Sequence, residues 1–181
     1  VAAWQTLSSE DVYTTPWIRV RRDEVLNHAG TKLTYSIVEL VRPSVFIVAA
    51  NSKGQICLIQ NYRYTLNKTM WEIPAGYADE QDILTAAKRE LLEETGLASN
   101  DWTELGTLYQ ANGIGKIPFT AFLARDVKQV TAERDKNEQI TSLRFLDVSK
   151  IEEMATKGEI IESAHLAALY LAKLHGIKKK G

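Results

Sequence analysis

The sequence predicts an α/β sandwich, a mixed sheet held between an internal helix and a C-terminal helix, on three observations. Strand-like segments precede one amphipathic helical segment, further strands follow it, and helical segments close the chain. At 181 residues and 45% hydrophobic content, the chain can bury one substantial core, with room for a small appended sheet. The internal helix carries an apolar sector of Ile83, Leu84, Ala87 and Leu91, about a third of its circumference, which anchors it against a core.

Residues 17–22 and 33–41 read as strands from their alternation and β-branched content, with a turn at His28-Ala29-Gly30. Residues 45–50 and 56–62 follow as strands about the turn Asn51-Ser52-Lys53-Gly54. Cys57 lies in the apolar stretch Ile56-Cys57-Leu58-Ile59; a lone cysteine forms no internal disulfide, and this one reads as core rather than nucleophile. Residues 82–95 form a helix that Gly96 stops. Strands at 102–109 and 119–124 flank the turn Asn112-Gly113-Ile114-Gly115, and residues 140–146 supply another strand. Helices at 148–156 and 160–174 complete the order, and Lys178-Lys179-Lys180 read as a solvated basic end.

Charge and hydropathy narrow the function classes. Lysine and arginine total 22 against 23 acids, so no global positive field recommends nucleic acid. No apolar run approaches a membrane span, and no secretory signal is visible, so the expectation is a cytoplasmic enzyme acting on a small molecule.

The internal helix carries the strongest functional signal. Glu90, Glu93 and Glu94 sit in its last turns, where the helix dipole disfavours each carboxylate by roughly 0.3–1 kcal/mol. Spacings of three and four residues put them on one stripe, at a further like-charge cost. A divalent cation reverses that sign. Hard oxygen ligands with room for water suit Mg2+ or Mn2+, which bridge carboxylates to substrate phosphates. The plain alternative is a solvated acidic helix with Lys88 and Arg89 as surface partners, and the entrance Trp71-Glu72-Ile73-Pro74-Ala75-Gly76 argues against it.

These residues resemble the Nudix hydrolase family. Its signature is Gly, five residues, Glu, seven residues, then Arg-Glu-aliphatic-any-Glu-Glu-any-Gly-aliphatic. The run Arg89-Glu90-Leu91-Leu92-Glu93-Glu94-Thr95-Gly96-Leu97 matches the second half. The first half departs. One residue fewer separates Gly76 from Arg89, and Gln81 stands where the first Glu is expected, with Glu80 or Asp82 nearby as a replacement carboxylate. Gln60-Asn61-Tyr62-Arg63-Tyr64, the Pro-Ala-Gly turn and Asn137-Glu138-Gln139-Ile140 are similar to the branch of ADP-ribose and other nucleoside-diphosphate-sugar pyrophosphatases, and the likeness covers residues 12–175. Ala111-Asn112-Gly113 replaces the Ser-Pro-Gly often found in the ADP-ribose enzymes.

The resemblance implies a Nudix-type α/β/α sandwich with an added N-terminal antiparallel sheet from about residue 12 to 41. That gives a dimerisation segment at 1–41, a hydrolase domain at 42–181 and a two-fold homodimer, with Trp4 and Trp17 suited to a partner surface. It implies Glu90 and Glu94 as principal metal ligands, Glu93 as a further ligand or water-holder, and the Ala75 carbonyl as a backbone ligand. Arg89 fixes a glutamate rotamer. Glu138 is the expected general base, with Glu133 second. Arg63 either meets a substrate phosphate or pairs with Glu72. Trp17, before Arg19, Arg21 and Arg22, either stacks on a nucleobase or serves as a core or dimer contact. The implied reaction is Mg2+-dependent cleavage of ADP-ribose to AMP and ribose 5-phosphate, or of a related nucleotide sugar such as GDP-mannose. A catalytically silent Nudix domain that senses a nucleotide is the alternative of a different class.

Overall fold

The structure is a computed structural model that describes residues 3–132 and 140–177. In chain order the elements are β1 (Gln5–Thr14), β2 (Ile18–Leu26), β3 (Lys32–Leu40), β4 (Ser44–Ala49), β5 (Ile56–Arg63), a 3-10 turn (Tyr64–Leu66), β6 (Lys68–Glu72), β7 (Ala75–Tyr77) and α1 (Ile83–Thr95). Then come β8 (Leu97–Ala98), β9 (Asp101–Gln110), β10 (Gly115–Arg125), β11 (Lys128–Gln129), β12 (Ile140–Leu146), α2 (Val148–Thr156) and α3 (Ser163–Leu174). The chain divides into two compact units, Val1–Pro43 with Tyr109–Pro118, and Ser44–Leu108 with Phe119–Gly181.

The first unit is an antiparallel meander. β2 pairs with β3 without a break from Ile18↔Leu40 to Leu26↔Lys32, while β1 pairs with β2 through register shifts at Thr6/Ser8 and Asp11/Tyr13. The tight connection between β2 and β3 is closed by Asn27, whose side-chain oxygen accepts from the amides of Ala29 and Thr31, both at 2.9 Å. Gly115 and Lys116 add a short parallel pairing to Val38 and Glu39. Buried carboxylates in this sheet are neutralised locally. Arg21 reaches Asp23 at 2.9 Å and Glu39 at 3.2 Å, and Arg19 also bonds Glu39.

The second unit contains the expected sandwich. Every residue of β4 is buried, as a strand covered on both faces requires. Its side chains alternate between two cores. Val45, Ile47 and Ala49 pack with Ala87 and Leu91 of α1 and with Phe122, whereas Phe46 and Val48 pack with Ile151 and Met154 of α2 and Ala164, Ala168 and Ala172 of α3. β10 runs parallel to β4 from Phe119↔Ser44 to Ala124↔Ala49, and β7 runs antiparallel on its other edge. A second sheet orders β12, β5 and β6, antiparallel throughout. Cys57 of β5 is fully buried in the core, as its sequence context implies.

Several elements differ from expectation. The antiparallel sheet begins at Gln5, because β1 adds ten residues that are all exposed and therefore leave no alternation to read. β6 and β7 are too short to carry a period of their own. α3 starts at Ser163 rather than residue 160, because the Glu162 carboxylate accepts from the amides of Ala164 and His165 and so caps the helix, while Ile160 is buried ahead of it.

Candidate active site

α1 is anchored at both ends. Asp82 caps its first turn by accepting from the amides of Leu84 (3.1 Å) and Thr85 (3.0 Å), and Gly96 ends it in the left-handed region at φ 71°. Leu91 and Ala87 face the core, which turns Glu90 and Glu94 toward β7. The amide of Ala75 donates to Glu94 Oε2 at 3.0 Å, and the amide of Tyr77 donates to Glu90 Oε1 at 3.2 Å. This match has a simple origin. Two residues along a strand advance roughly 6.6 Å, and four along a helix advance about 6 Å, so alternate strand amides meet carboxylates one helical turn apart.

Gly76 lies between those two amides. A methyl group there would stand 2.1 Å from Glu90 Cδ, so the strand and the carboxylate approach this closely only because the position has no side chain. In an extended strand the N–H and C=O of one residue leave on the same side. Tyr77 obeys this, with its amide on Glu90 and its carbonyl accepting from Arg89 Nη2 at 2.8 Å. By the same rule the Ala75 carbonyl faces the α1 carboxylates.

Arg89 holds the cluster together. Its Nη1 meets Glu93 Oε2 at 2.8 Å, its Nη2 meets Glu90 Oε1 at 2.9 Å, and its Nε donates to Gln81 Oε1 at 3.1 Å. Gln81, which stands where the resembling pattern has Glu, thus orients the arginine. Asp82 is engaged as the helix cap. Burial raises the Glu90 carboxyl above the usual carboxylate range, outweighing the attraction of Arg89. At Arg89 burial works against the charge, and Glu90 and Glu93 outweigh it, so its pKa is raised. Glu94 is almost wholly buried.

Among the described residues no group of three His, Cys, Asp or Glu side chains is assembled around a common point. The fit to a hard divalent cation lies in the donor chemistry and in the cradle. A desolvated carboxylate with a raised pKa, a second buried carboxylate and a strand carbonyl on the same side are oxygen donors that a cation would stabilise.

Arg63 and Glu72 meet as an ion pair, with Nε at 2.9 and 3.0 Å from the two carboxylate oxygens and Nη2 at 2.6 Å from Oε2. The carboxylate is buried and the arginine side chain is 41% exposed, so the pair lies at the edge of the buried core. Of the two sequence readings for Arg63, this structure displays the salt bridge. Trp17 belongs to the first unit, is half exposed, and has the Arg42 guanidinium 5.4 Å from its ring centre, which removes the core reading. Arg19, Arg21 and Arg22 are engaged by carboxylates of their own sheet. Glu138 and Glu133 lie outside the described residues.

Sequence reasoning overlooked Tyr77, which acts on the cluster through a backbone amide and carbonyl that carry no charge signal, and it noted Gln81 only as a departure from the pattern's Glu, not as a partner of Arg89. His165 and Glu162, beside Glu72, were also overlooked, and a lone histidine on an apolar helix offers no spacing to find it by.

Comparison with known proteins gives a consistent picture. The NUDIX domain model matches residues 40–168, and the nucleoside diphosphate sugar hydrolase N-terminal domain model matches residues 4–38. An ADP-ribose pyrophosphatase of Mycobacterium tuberculosis is 32% identical over 170 residues, covering 92% of this chain and 81% of the relative. An ADP-ribose pyrophosphatase of Bacillus subtilis is 26% identical over 149 residues, covering 81% and 77%. A methanol dehydrogenase activator of Bacillus methanolicus is 28% identical over 137 residues, covering 67% and 73%. The crystal structure of an ADP compounds hydrolase superposes with a TM-score of 0.85 over 98% of both chains at 22% identity, a likeness of fold.

Proposed function

Because the chain belongs to the Nudix hydrolase family, we propose that it cleaves the pyrophosphate bond of ADP-ribose or a related nucleoside diphosphate sugar, releasing a nucleoside monophosphate and a sugar phosphate. The observation that carries this reading is the docking of Glu90 and Glu94 on the alternate amides of Tyr77 and Ala75 across Gly76. It holds two carboxylates at fixed places beside a strand carbonyl, where a phosphate-bridging cation is wanted. The names of two relatives, both ADP-ribose pyrophosphatases, support the substrate class.

Glu90, Glu93, Glu94 and the Ala75 carbonyl would hold Mg2+, with Mn2+ as a substitute. Bound there, the cation would supply charge against the diphosphate oxygens and make water easier to deprotonate. The chain's own groups do the rest. Arg89 sets the rotamers of Glu90 and Glu93. Arg63, held by Glu72, receives a substrate phosphate with its guanidinium. Glu138, with Glu133 as the alternative, takes the proton of the attacking water as the water oxygen joins phosphorus and the bridging P–O bond breaks. Trp17 stacks on the nucleobase. We also assign residues 1–41 to dimerisation in a homodimer and 42–181 to the hydrolase domain, and a cytoplasmic setting. Among the described residues no helix is long and apolar enough to cross a membrane.

The test is product analysis on ADP-ribose, GDP-mannose, UDP-glucose and NADH, with Mg2+ and with chelator. AMP and ribose 5-phosphate should form from ADP-ribose only with the cation. Glu94→Gln should lower turnover by about 1,000-fold while circular dichroism stays that of the parent, since a ligand charge is lost without core volume. Tight nucleotide binding with no turnover on any of the four substrates would favour the silent, nucleotide-sensing reading instead.

A further inference from the structure

His165 occupies a position in α3 where a hydrophobic residue would bury more cheaply. Its side chain is 3% exposed, packs against Phe46 with ring centres 5.0 Å apart, and leaves Nδ1 as a buried side-chain nitrogen with no hydrogen-bond partner among the described residues. An unsatisfied buried polar atom costs stability, so its presence asks for a reason outside packing. The other nitrogen supplies one. Nε2 lies 3.7 Å from Glu72 Oε2 and 3.7 Å from Glu162 Oε2, between the two carboxylates.

Those carboxylates have different tasks. Glu162 Oε2 accepts from the amides of Ala164 (3.0 Å) and His165 (3.1 Å), which ties it to the start of α3. Glu72 Oε2 is the atom that accepts the 2.6 Å bond from Arg63 Nη2. At 3.7 Å the imidazole is too far for a direct hydrogen bond, so it acts through its N–H dipole and its volume. Burial, then the Arg63 charge, lowers its pKa to about 3, so the ring is neutral at working pH and does not compete with Arg63 for Glu72. A second cation there would release the guanidinium. An empty space there would free the carboxylate to rotate.

We propose that His165 is a positioning residue: through the Nε2–H dipole that it sets beside Glu72 and Glu162 it keeps Glu72 locked on Arg63, and so fixes the guanidinium that receives a substrate phosphate. The phosphate role of Arg63 rests on the function proposed above, whereas the grip of His165 on the Arg63–Glu72 pair does not.

The experiment reads both levels. His165→Phe keeps ring volume and removes the dipole; KM for the hydrolysed nucleotide sugar should rise about tenfold with kcat within threefold of the parent, as for loss of uniform binding. In an Arg63→Ala background the same change should have no further effect. Independently of activity, the Arg63 Nε–H resonance, identified by its loss in Arg63→Lys, should be sharp and slowly exchanging in the parent and broadened in His165→Phe. Should that variant not fold, His165→Gln and His165→Asn decide: the longer amide reaches the Nε2 position and should keep the resonance, while the shorter should lose it. An unchanged resonance in His165→Phe, or equal resonances in the Gln and Asn variants, overturns the proposal, as do KM effects that simply add to those of Arg63→Ala. If the parent hydrolyses none of the substrates, the proposed function falls, and the resonance still decides what His165 does.

Discussion

A methyl group at position 76 would sit 2.1 Å from Glu90 Cδ, on a strand whose neighbouring amides fix Glu90 and Glu94. Gly76→Ala must push strand and helix apart or turn Glu90 away. We expect kcat/KM to fall at least about 100-fold, the cost of misplacing a site by roughly an ångström, with secondary structure retained by circular dichroism; a fully active variant would show that the close approach is dispensable. Glu90 gives a prediction with a sign in pH. Burial raises its folded pKa above the unfolded value, so its contribution to stability is full below the ordinary glutamate range and is lost as pH rises through the folded value. At pH 8 without a cation its ionised form is therefore a liability. Glu90→Gln should melt higher than the parent in chelator at pH 8, with the advantage shrinking toward pH 4, and Mg2+ should stabilise the parent far more than the variant. Identical melting of the two proteins in chelator at pH 8 would remove the burial argument.

The helix that carries these residues was legible because its apolar sector, with Leu91 and Ala87 on the core face, and its stop at Gly96 agree, while Asp82, read as a replacement carboxylate, stands in the structure as its cap. Gly96 has two reasons to be glycine. Its φ is 71°, and a Cβ would lie 2.2 Å from the Thr131 carbonyl oxygen, a backbone atom that cannot swing aside. Gly96→Ala should lower the free energy of unfolding by about 2 kcal/mol or more in urea titration; a loss below about 0.5 kcal/mol would mean that the loop after α1 yields freely. β1 was illegible for the opposite reason. All ten of its residues are exposed in the isolated chain, so burial imposed no alternation on its sequence. In the site, the glutamates could be read from their charge and spacing. Tyr77 could not, since a backbone amide is common to every residue, and Gln81 stood out by its place in the pattern while its bond to Arg89 did not. His165 was hidden because Glu72, far from it in sequence, comes close only after the chain has folded.

For the molecule as a whole, the exposed strand β1 is the outstanding feature. Leu7, Val12 and Tyr13 of β1 and the nearby-in-sequence Trp4 and Trp17 are all at least 45% exposed, a concentration of large apolar groups that water solvates poorly. A net charge of −1 offers little repulsion between copies. The proposed homodimer gives this surface a partner, and it makes stability depend on protein concentration, because association favours the folded chain by mass action. Sedimentation equilibrium should return twice the chain mass of 20.3 kDa, and the thermal midpoint should rise with concentration. Replacing Val12 and Tyr13 together by glutamate places like charges on both sides of a two-fold contact. That variant should sediment as a monomer at micromolar concentration, with a midpoint that no longer responds to dilution. A parent chain that is monomeric across the whole concentration range would leave the exposed face of β1 without a second copy to cover it and end the homodimer proposal.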